Sequence, residues 1–157
     1  MEVNLHIYSG IGNLIAIVDG IRNDLHISSK EVDHVYNFHG VNFDQLIILL
    51  PPSDPQNDLD VKIFNNDGSI ASNCINGARC VGRFIKDNSL LASNKFKVKT
   101  DGGLWELDNV ENNIFSAAFE VKAEIITKKV EAEGIELSLD CINTVSYTHL
   151  RAHETAT

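Results

Sequence analysis

Residues 64–80 read F-N-N-D-G-S-I-A-S-N-C-I-N-G-A-R-C and set Cys74 between a tight turn, Asn66-Asp67-Gly68, and the start of a helix pattern. A helix N-terminus presents unpaired backbone N–H groups and the positive end of the helix dipole. Both pull a thiol pKa down, from about 8.5 towards roughly 3.5–7.5. The same N–H groups can hold a carboxylate. A thiolate beside a carboxylate cradle suits proton transfer at the α-carbon of an amino acid, because one set of donors stabilises both the fixed carboxylate and the charge that develops next to it. The alternative for Cys74 is a buried structural thiol, the commonest fate of a free cysteine.

The elements that must position this cysteine are short and strand-rich. Val3, Leu5 and Ile7 alternate with polar residues, and Leu14–Val18 follows a glycine-bounded turn, so the two segments read as a hairpin. Ser28-Ser29-Lys30-Glu31 has capping-box form with Ile27 and Val32 able to staple across it, which predicts a helix over 29–38 ended by His39-Gly40. Residues 45–50 read as a buried strand closed by Pro51-Pro52, and a further strand is expected over 59–65. The helix after Cys74 runs from 76 to 85, with Cys80, Val81 and Phe84 on one side. Phe96, Val98 and Thr100 alternate, Asp101-Gly102-Gly103 turns, and Trp105 and Leu107 share one face of the next strand. Residues 114–121, 123–126 and 139–142 suggest further strands. No βαβ period recurs, so the class is α+β with a mainly antiparallel sheet.

Composition narrows the partners. The 157 residues carry a formal net charge of -9, against nucleic acid or an anionic membrane, either of which calls for clustered Lys and Arg. No apolar run exceeds that of 46–50, which is far short of the ~20 residues that span a bilayer. Met1 is followed by Glu2-Val3-Asn4-Leu5 with no basic and apolar leader pattern, and three cysteines without C-x-x-C spacing suit neither a disulfide framework nor a zinc site. A soluble protein of the reducing cytoplasm is expected. His6, His26, His34 and His39 show no metal or triad spacing; His149 and His153 stand at i, i+4 but lack a third ligand, so no metal is expected.

Three blocks together carry a resemblance. Gly10-Ile11-Gly12-Asn13, Gly40-Val41-Asn42-Phe43-Asp44-Gln45 and the Phe64–Cys80 run, with Phe64, Asn65, Asp67, Gly68, Ser69, Cys74, Asn76, Gly77, Arg79 and Cys80 matching, resemble in order and distance the motifs of the diaminopimelate epimerases. The resemblance implies two similar lobes, each wrapping strands around a central helix with the site between them. It implies an isomerase of lysine and cell-wall precursor synthesis that interconverts LL- and meso-diaminopimelate without pyridoxal phosphate or other cofactor. One cysteine removes the α-proton, and a second on the opposite face returns one. Cys74 matches the first cysteine; nothing in this chain matches the second, and Cys80 and Cys141 read as core residues. Asn13, Gln45 and Asn65 match substrate-bonding positions, Asn76 one that offers its backbone N–H to a carboxylate, and Ile75 stands beside it in the substrate-binding set. The partner so implied is a small amino acid, with a homodimer as the family's usual association.

Three positions depart from the family pattern: Leu14 for Asp, Asn42 for Gly, and Ile75 for Gly. A left-handed conformation at 75 would make a β-branched residue costly, whereas helical geometry would accommodate it. The expected organisation is a first lobe over 1–118, the beginning of a second over 119–144, and a non-native tail over 145–157. Val145–Thr155 reads V-S-Y-T-H-L-R-A-H-E-T, which resembles one frame of a sequencing-library adaptor. The chain is thus expected to be the N-terminal portion of an epimerase, inactive alone. Two other readings stay open: a proline-racemase-like thiol racemase, and a non-catalytic lobe that keeps one cysteine and the carboxylate cradle.

Overall fold

The first two strands, β1 (His6–Gly10) and β2 (Asn13–Asp19), form the expected hairpin in a computed structural model that describes residues 4–22, 25, 27–38, 40–111, 114–119, 124–132, 134–143 and 148–153. The turn between them has positive φ at both Ile11 (51°) and Gly12 (88°), the type I′ geometry whose twist matches the flanking strands. Helix α1 (Ser29–Phe38) follows. The capping box forms through its return arm: the Glu31 carboxylate accepts from the Ser28 backbone N–H and hydroxyl, both at 2.7 Å. Gly40, at φ 63°, lies just beyond the helix end; His39, like His26, lies outside the described residues.

Strands β3 (Gln45–Leu50) and β4 (Leu59–Asn65) occupy the predicted ranges. A two-residue strand that the sequence did not signal, β5 (Ile70–Ala71), pairs with the end of β4. Helix α2 (Ile75–Asp87) comes next, then β6 (Lys95–Thr100), β7 (Gly103–Glu111) and β8 (Ile114–Phe119). The sheet order is β1-β2-β3-β4-β6-β7-β8, with β5 also on β4. It is antiparallel except at β2–β3 and β4–β6. The two parallel joins follow from the helical segments that carry the chain back across the sheet.

The sheet curls. Helix α2 touches β1 and β2 near one edge and β7 and β8 at the other, so the strands wrap around it. The helix is buried on several sides for that reason: Ala78, Cys80, Val81, Phe84 and Ile85 are all in the core with Ile15, Ile17, Ile47, Leu49, Trp105 and Phe115. Close approach there needs small residues, since a Cβ on Gly82 would lie 2.6 Å from the Phe115 ring. Alternate residues of the same strands, Ala16, Val18, Leu46 and Ile48, face a second cluster with Val32 of α1 and Phe43. Burial on both faces explains why β2 and β3 are continuous apolar runs.

Residues 1–120 form one compact unit and 121–157 another. In the second, β9 (Glu124–Ala132), β10 (Ile135–Asn143) and β11 (Thr148–His153) make an antiparallel three-stranded sheet in the order β11-β10-β9. The strand expected to stop at Ile126 runs on to Ala132, because pairing with β10 supplies its ladder. His149 and His153 lie on a strand, so their spacing does not put them one helical turn apart. Among the described residues no group of three or more His, Cys, Asp or Glu is placed to hold a metal. Val121, Ala123 and residues 144–147 lie outside the described residues, as does the side chain of Cys141. No helix among the described residues is long and apolar enough to cross a membrane.

Candidate active site

Asn13 is the first residue of β2, Gln45 the first of β3 and Asn65 the last of β4. Ile15 pairs in parallel with Gln45, and Gln45 pairs in antiparallel with Asn65, so the register brings all three to one end of the sheet. The Gln45 side-chain amide donates to Asn65 Oδ1 at 3.0 Å, and Asn65 Nδ2 donates to Ser69 Oγ at 2.9 Å. All three residues are half-buried. Side-chain amides can accept from an ammonium and donate to a carboxylate without adding a charge of their own.

Helix α2 begins at this rim. Asn13 pairs with Gly10 across the hairpin, and a Cβ on Gly10 would lie only 2.9 Å from the Asn76 carbonyl oxygen and 3.0 Å from Cys80 Sγ. Glycine therefore lets β1 reach the first turn of the helix. Cys74 is the N-cap, with extended backbone (φ -150°, ψ 100°), and its sulfur accepts the Gly77 N–H at 3.1 Å. Ile75 is the first helical residue and so has right-handed helical geometry, which a β-branched side chain adopts freely; the departure from glycine carries no backbone strain. Asn42 likewise has no positive φ.

The thiol differs from the expectation in one respect. The helix terminus alone implied a lowered pKa, but burial pushes the Cys74 thiol up, and the backbone N–H groups of Gly77 and then Asn76 pull it down by less. Cys74 is 8% exposed, so a charged sulfur there has little water to solvate it, and that cost exceeds what two N–H dipoles return. Cys80 is buried too, and desolvation, followed by the neighbouring Cys74, raises its thiol to about 11, consistent with its reading as a core residue.

Two residues that hold the site together were not singled out from the sequence. Asp44 Oδ2 accepts the Leu14 N–H at 2.7 Å, its own N–H donates to Leu14 O at 2.8 Å, and its carbonyl accepts from Asn66 at 3.2 Å. It thereby ties the three motif blocks together, and the signal for it was the motif itself. Asn73 Oδ1 accepts the Cys74 N–H at 2.9 Å and the Trp105 indole N–H at 2.6 Å. Nothing local marks that pairing. Asp67 and Gly68 act as turn residues, as read: Asp67 accepts the Ser69 N–H, and a Cβ on Gly68 (φ 79°) would run into the Ser29 carbonyl. Arg79 is exposed on α2.

The profile of the family described as Diaminopimelate epimerase matches residues 5–122. The chain belongs to the diaminopimelate epimerase family. It is 44% identical over 100 residues to the diaminopimelate epimerase of Stutzerimonas stutzeri (strain A1501) and 42% identical over 100 residues to that of Pseudomonas fluorescens (strain Pf0-1). Each alignment takes in 63% of this chain and 36% of the relative, so the chain spans little more than a third of those proteins. Among solved structures, a hydroxyproline epimerase from Agrobacterium vitis superposes with a TM-score of 0.63 at 11% identity, covering 89% of this chain and 48% of that one. A phenazine biosynthesis protein of the PhzF family from Bacillus anthracis gives 0.62 at 16% identity, covering 94% and 53%. At those identities the likeness is one of fold, and it agrees with an α+β lobe of strands curled around a helix.

Proposed function

We propose that the full-length protein is a diaminopimelate epimerase that interconverts the LL and meso forms by a cofactor-independent, two-cysteine proton transfer, and that Cys74 is the cysteine of the first lobe. The observation that carries this is Cys74 as N-cap of α2, its sulfur on the Gly77 N–H, at the rim that holds Asn13, Gln45 and Asn65. In the reaction a thiolate takes the α-hydrogen as a proton, the electron pair is left at the α-carbon beside the carboxylate, and a thiol on the opposite face delivers a proton there. Inversion needs two groups because a single base returns the proton to the side it came from.

Each residue of the rim has a part. The backbone N–H of Asn76, in the first turn of α2, holds the α-carboxylate and stabilises the charge that builds up next to it, with Ile75 packing against the same end of the substrate. Asn13, Gln45 and Asn65 orient the remaining polar groups. A Cys74 thiol pushed up by burial is protonated at neutral pH in this lobe, the state required of the proton donor. Removal of a proton by Cys74 in the reverse direction then depends on the opposing cysteine. The second cysteine belongs to the part of the protein beyond this chain, so residues 1–157 alone are expected not to turn over. Lysine and peptidoglycan precursor synthesis in the cytoplasm is the setting this reading implies, with a homodimer as the full-length assembly.

The test is exchange of the substrate α-hydrogen with solvent D₂O by the full-length protein, parent against Cys74→Ser. Exchange and epimerisation by the parent and their loss in the variant are expected. Normal epimerisation by Cys74→Ser would refute the role of Cys74, and rapid turnover of proline or hydroxyproline in place of diaminopimelate would refute the substrate.

A further inference from the structure

Trp105 is fully buried at the start of β7, so its indole N–H must find an acceptor inside the protein. The acceptor is the side-chain oxygen of Asn73, at 2.6 Å, and the same oxygen takes the backbone N–H of Cys74 at 2.9 Å. Both lone pairs of that oxygen are thereby used, which fixes the amide in one orientation. A second contact holds the preceding residue. The Gly102 N–H donates to Ser72 O at 2.8 Å and also to Thr100 Oγ1 at 3.1 Å, while the Thr100 hydroxyl, 5% exposed, donates to Gly103 O at 3.0 Å. The turn presses on the segment so closely that a Cβ on Gly102 would stand 2.6 Å from Ser72 O and 3.3 Å from Asn73 Cβ.

We infer that the β6–β7 hairpin is the device that aims Cys74, and that Asn73 and Trp105 are positioning residues for its thiol. The inference rests on Cys74 being the reactive thiol of the lobe. Cys74 has to keep an extended backbone while the next residue turns into a helix, and only then does its sulfur reach back to the Gly77 N–H. Two residues ahead of a helix there is no regular ladder to hold that geometry: β5 ends at Ala71. The Asn73 amide and the Ser72 carbonyl supply the missing restraints from a hairpin about thirty residues downstream. Asn73 also occupies the Cys74 N–H, so the donors left for a carboxylate are those of the helix proper. Neither residue carries a charge, and the hydrogen bonds of both end at the Cys74 backbone N–H and the Asn73 amide, so both act on the thiol through the backbone of Cys74.

The experiment measures the rate at which iodoacetamide alkylates Cys74, resolved by peptide mass, from pH 6 to 10.5 in the 157-residue chain. The variants are Trp105→Phe, Asn73→Ala and the double variant, with Cys80 as the internal reference and far-ultraviolet circular dichroism with urea melts as the check on folding. Trp105→Phe removes the donor and leaves a smaller aromatic ring in the core, so its cavity cost is read separately, from urea melts. It is expected to move the Cys74 midpoint upward and slow alkylation at pH 8 about two- to fivefold, as the hold of the Gly77 N–H on the sulfur loosens. Asn73→Ala is expected to do the same to a larger extent, and the double variant to match Asn73→Ala, because Trp105 reaches the thiol only by way of Asn73. A purely structural tryptophan would lower stability and leave the Cys74 pH profile where it was; that result, or effects that multiply in the double variant, overturns the positioning role. A parent Cys74 no more reactive than Cys80 across the range overturns the reading of Cys74 as the reactive thiol as well, so the two failures are distinguishable.

Discussion

Gly77→Ala separates the stability of α2 from the chemistry at its N-terminus. Gly77 is the third residue of the helix, where alanine is favoured over glycine by about 1 kcal/mol. The added methyl has little room. It would lie 2.5 Å from Ile47 Cδ1 and 2.8 Å from Cys74 Sγ, against the 3.5–4.0 Å at which heavy atoms are ordinarily in contact. Ile47 is fully buried and its terminal methyl can yield by a rotamer adjustment, while the sulfur can yield only by rotating about χ1, away from the Gly77 N–H that it now accepts at 3.1 Å. Overpacking of a filled core costs about 1–3 kcal/mol. Set against the helix gain, the net loss of stability is about 0–2 kcal/mol, and the protein stays folded.

The thiol changes as well. Loss of one of the two N–H groups that offset burial at Cys74, a contact worth about 0.5–1.5 kcal/mol, moves the thiol midpoint up by roughly 0.4–1 pH unit. Alkylation of Cys74 at pH 8 then falls by roughly 2.5- to 10-fold. Urea melts followed by circular dichroism give the first quantity, and the peptide-resolved alkylation profile gives the second. A variant that gains a full 1 kcal/mol and alkylates at the parent rate would refute the reasoning, because the methyl would then have displaced neither neighbour.

Other perturbations probe separate parts of the lobe. Ile11 holds φ 51° at the tip of the β1–β2 hairpin with 76% of its surface exposed, so Ile11→Asn should relieve a left-handed penalty of about 1–2 kcal/mol, create an Asn-Gly turn and raise stability by about 1 kcal/mol in urea melts; a neutral or lowered value would count against strain at the tip. Cys80 has its folded pKa raised to about 11, so its contribution to stability is fully present below the unfolded thiol range and is lost as pH rises from about 9 to 11. Up to about 3 kcal/mol is at stake across that window, and melts from pH 7 to 11 should show the parent losing stability more steeply than Cys80→Ala. Parallel pH slopes would show that the two states bind the Cys80 proton equally.

The parts legible in the sequence are those set by local chemistry. The hairpin tip, the capping box of α1, the boundaries of β3 and β4, and the placement of Cys74 at a helix mouth all rest on residues within a few positions of one another. The thiol pKa was read in the wrong direction for the complementary reason: the N–H groups that lower it are local and visible, whereas its burial arises from strands that wrap around α2. The pairing of Asn73 with Trp105 was out of reach too, since an asparagine before a cysteine and a tryptophan after a glycine turn each have an ordinary local explanation. Ile75 shows the opposite case. As a departure from a family glycine it left two outcomes open, costly in a left-handed conformation and tolerated in a helix, and the helical start at residue 75 decides for the second.

The convergence of Asn13, Gln45 and Asn65 follows from topology as much as from the motifs. A parallel neighbour starts where its partner starts, and an antiparallel neighbour ends there; β2 and β3 are parallel and β4 runs against β3, so the first residues of two strands and the last of the third must share one edge. At strand ends the ladder of backbone bonds runs out, and a side-chain amide placed there can bond to its neighbour, as Gln45 does to Asn65, while keeping capacity for a guest. The helix terminus is the corresponding end of α2, with N–H groups that no residue of the helix can satisfy. Gly10, against the carbonyl of Asn76, brings that terminus up to the same edge. The candidate site of this lobe is therefore built from places where secondary structure stops, so a methyl at residue 77, 2.8 Å from Cys74 Sγ, is expected to reach the thiol as well as the core.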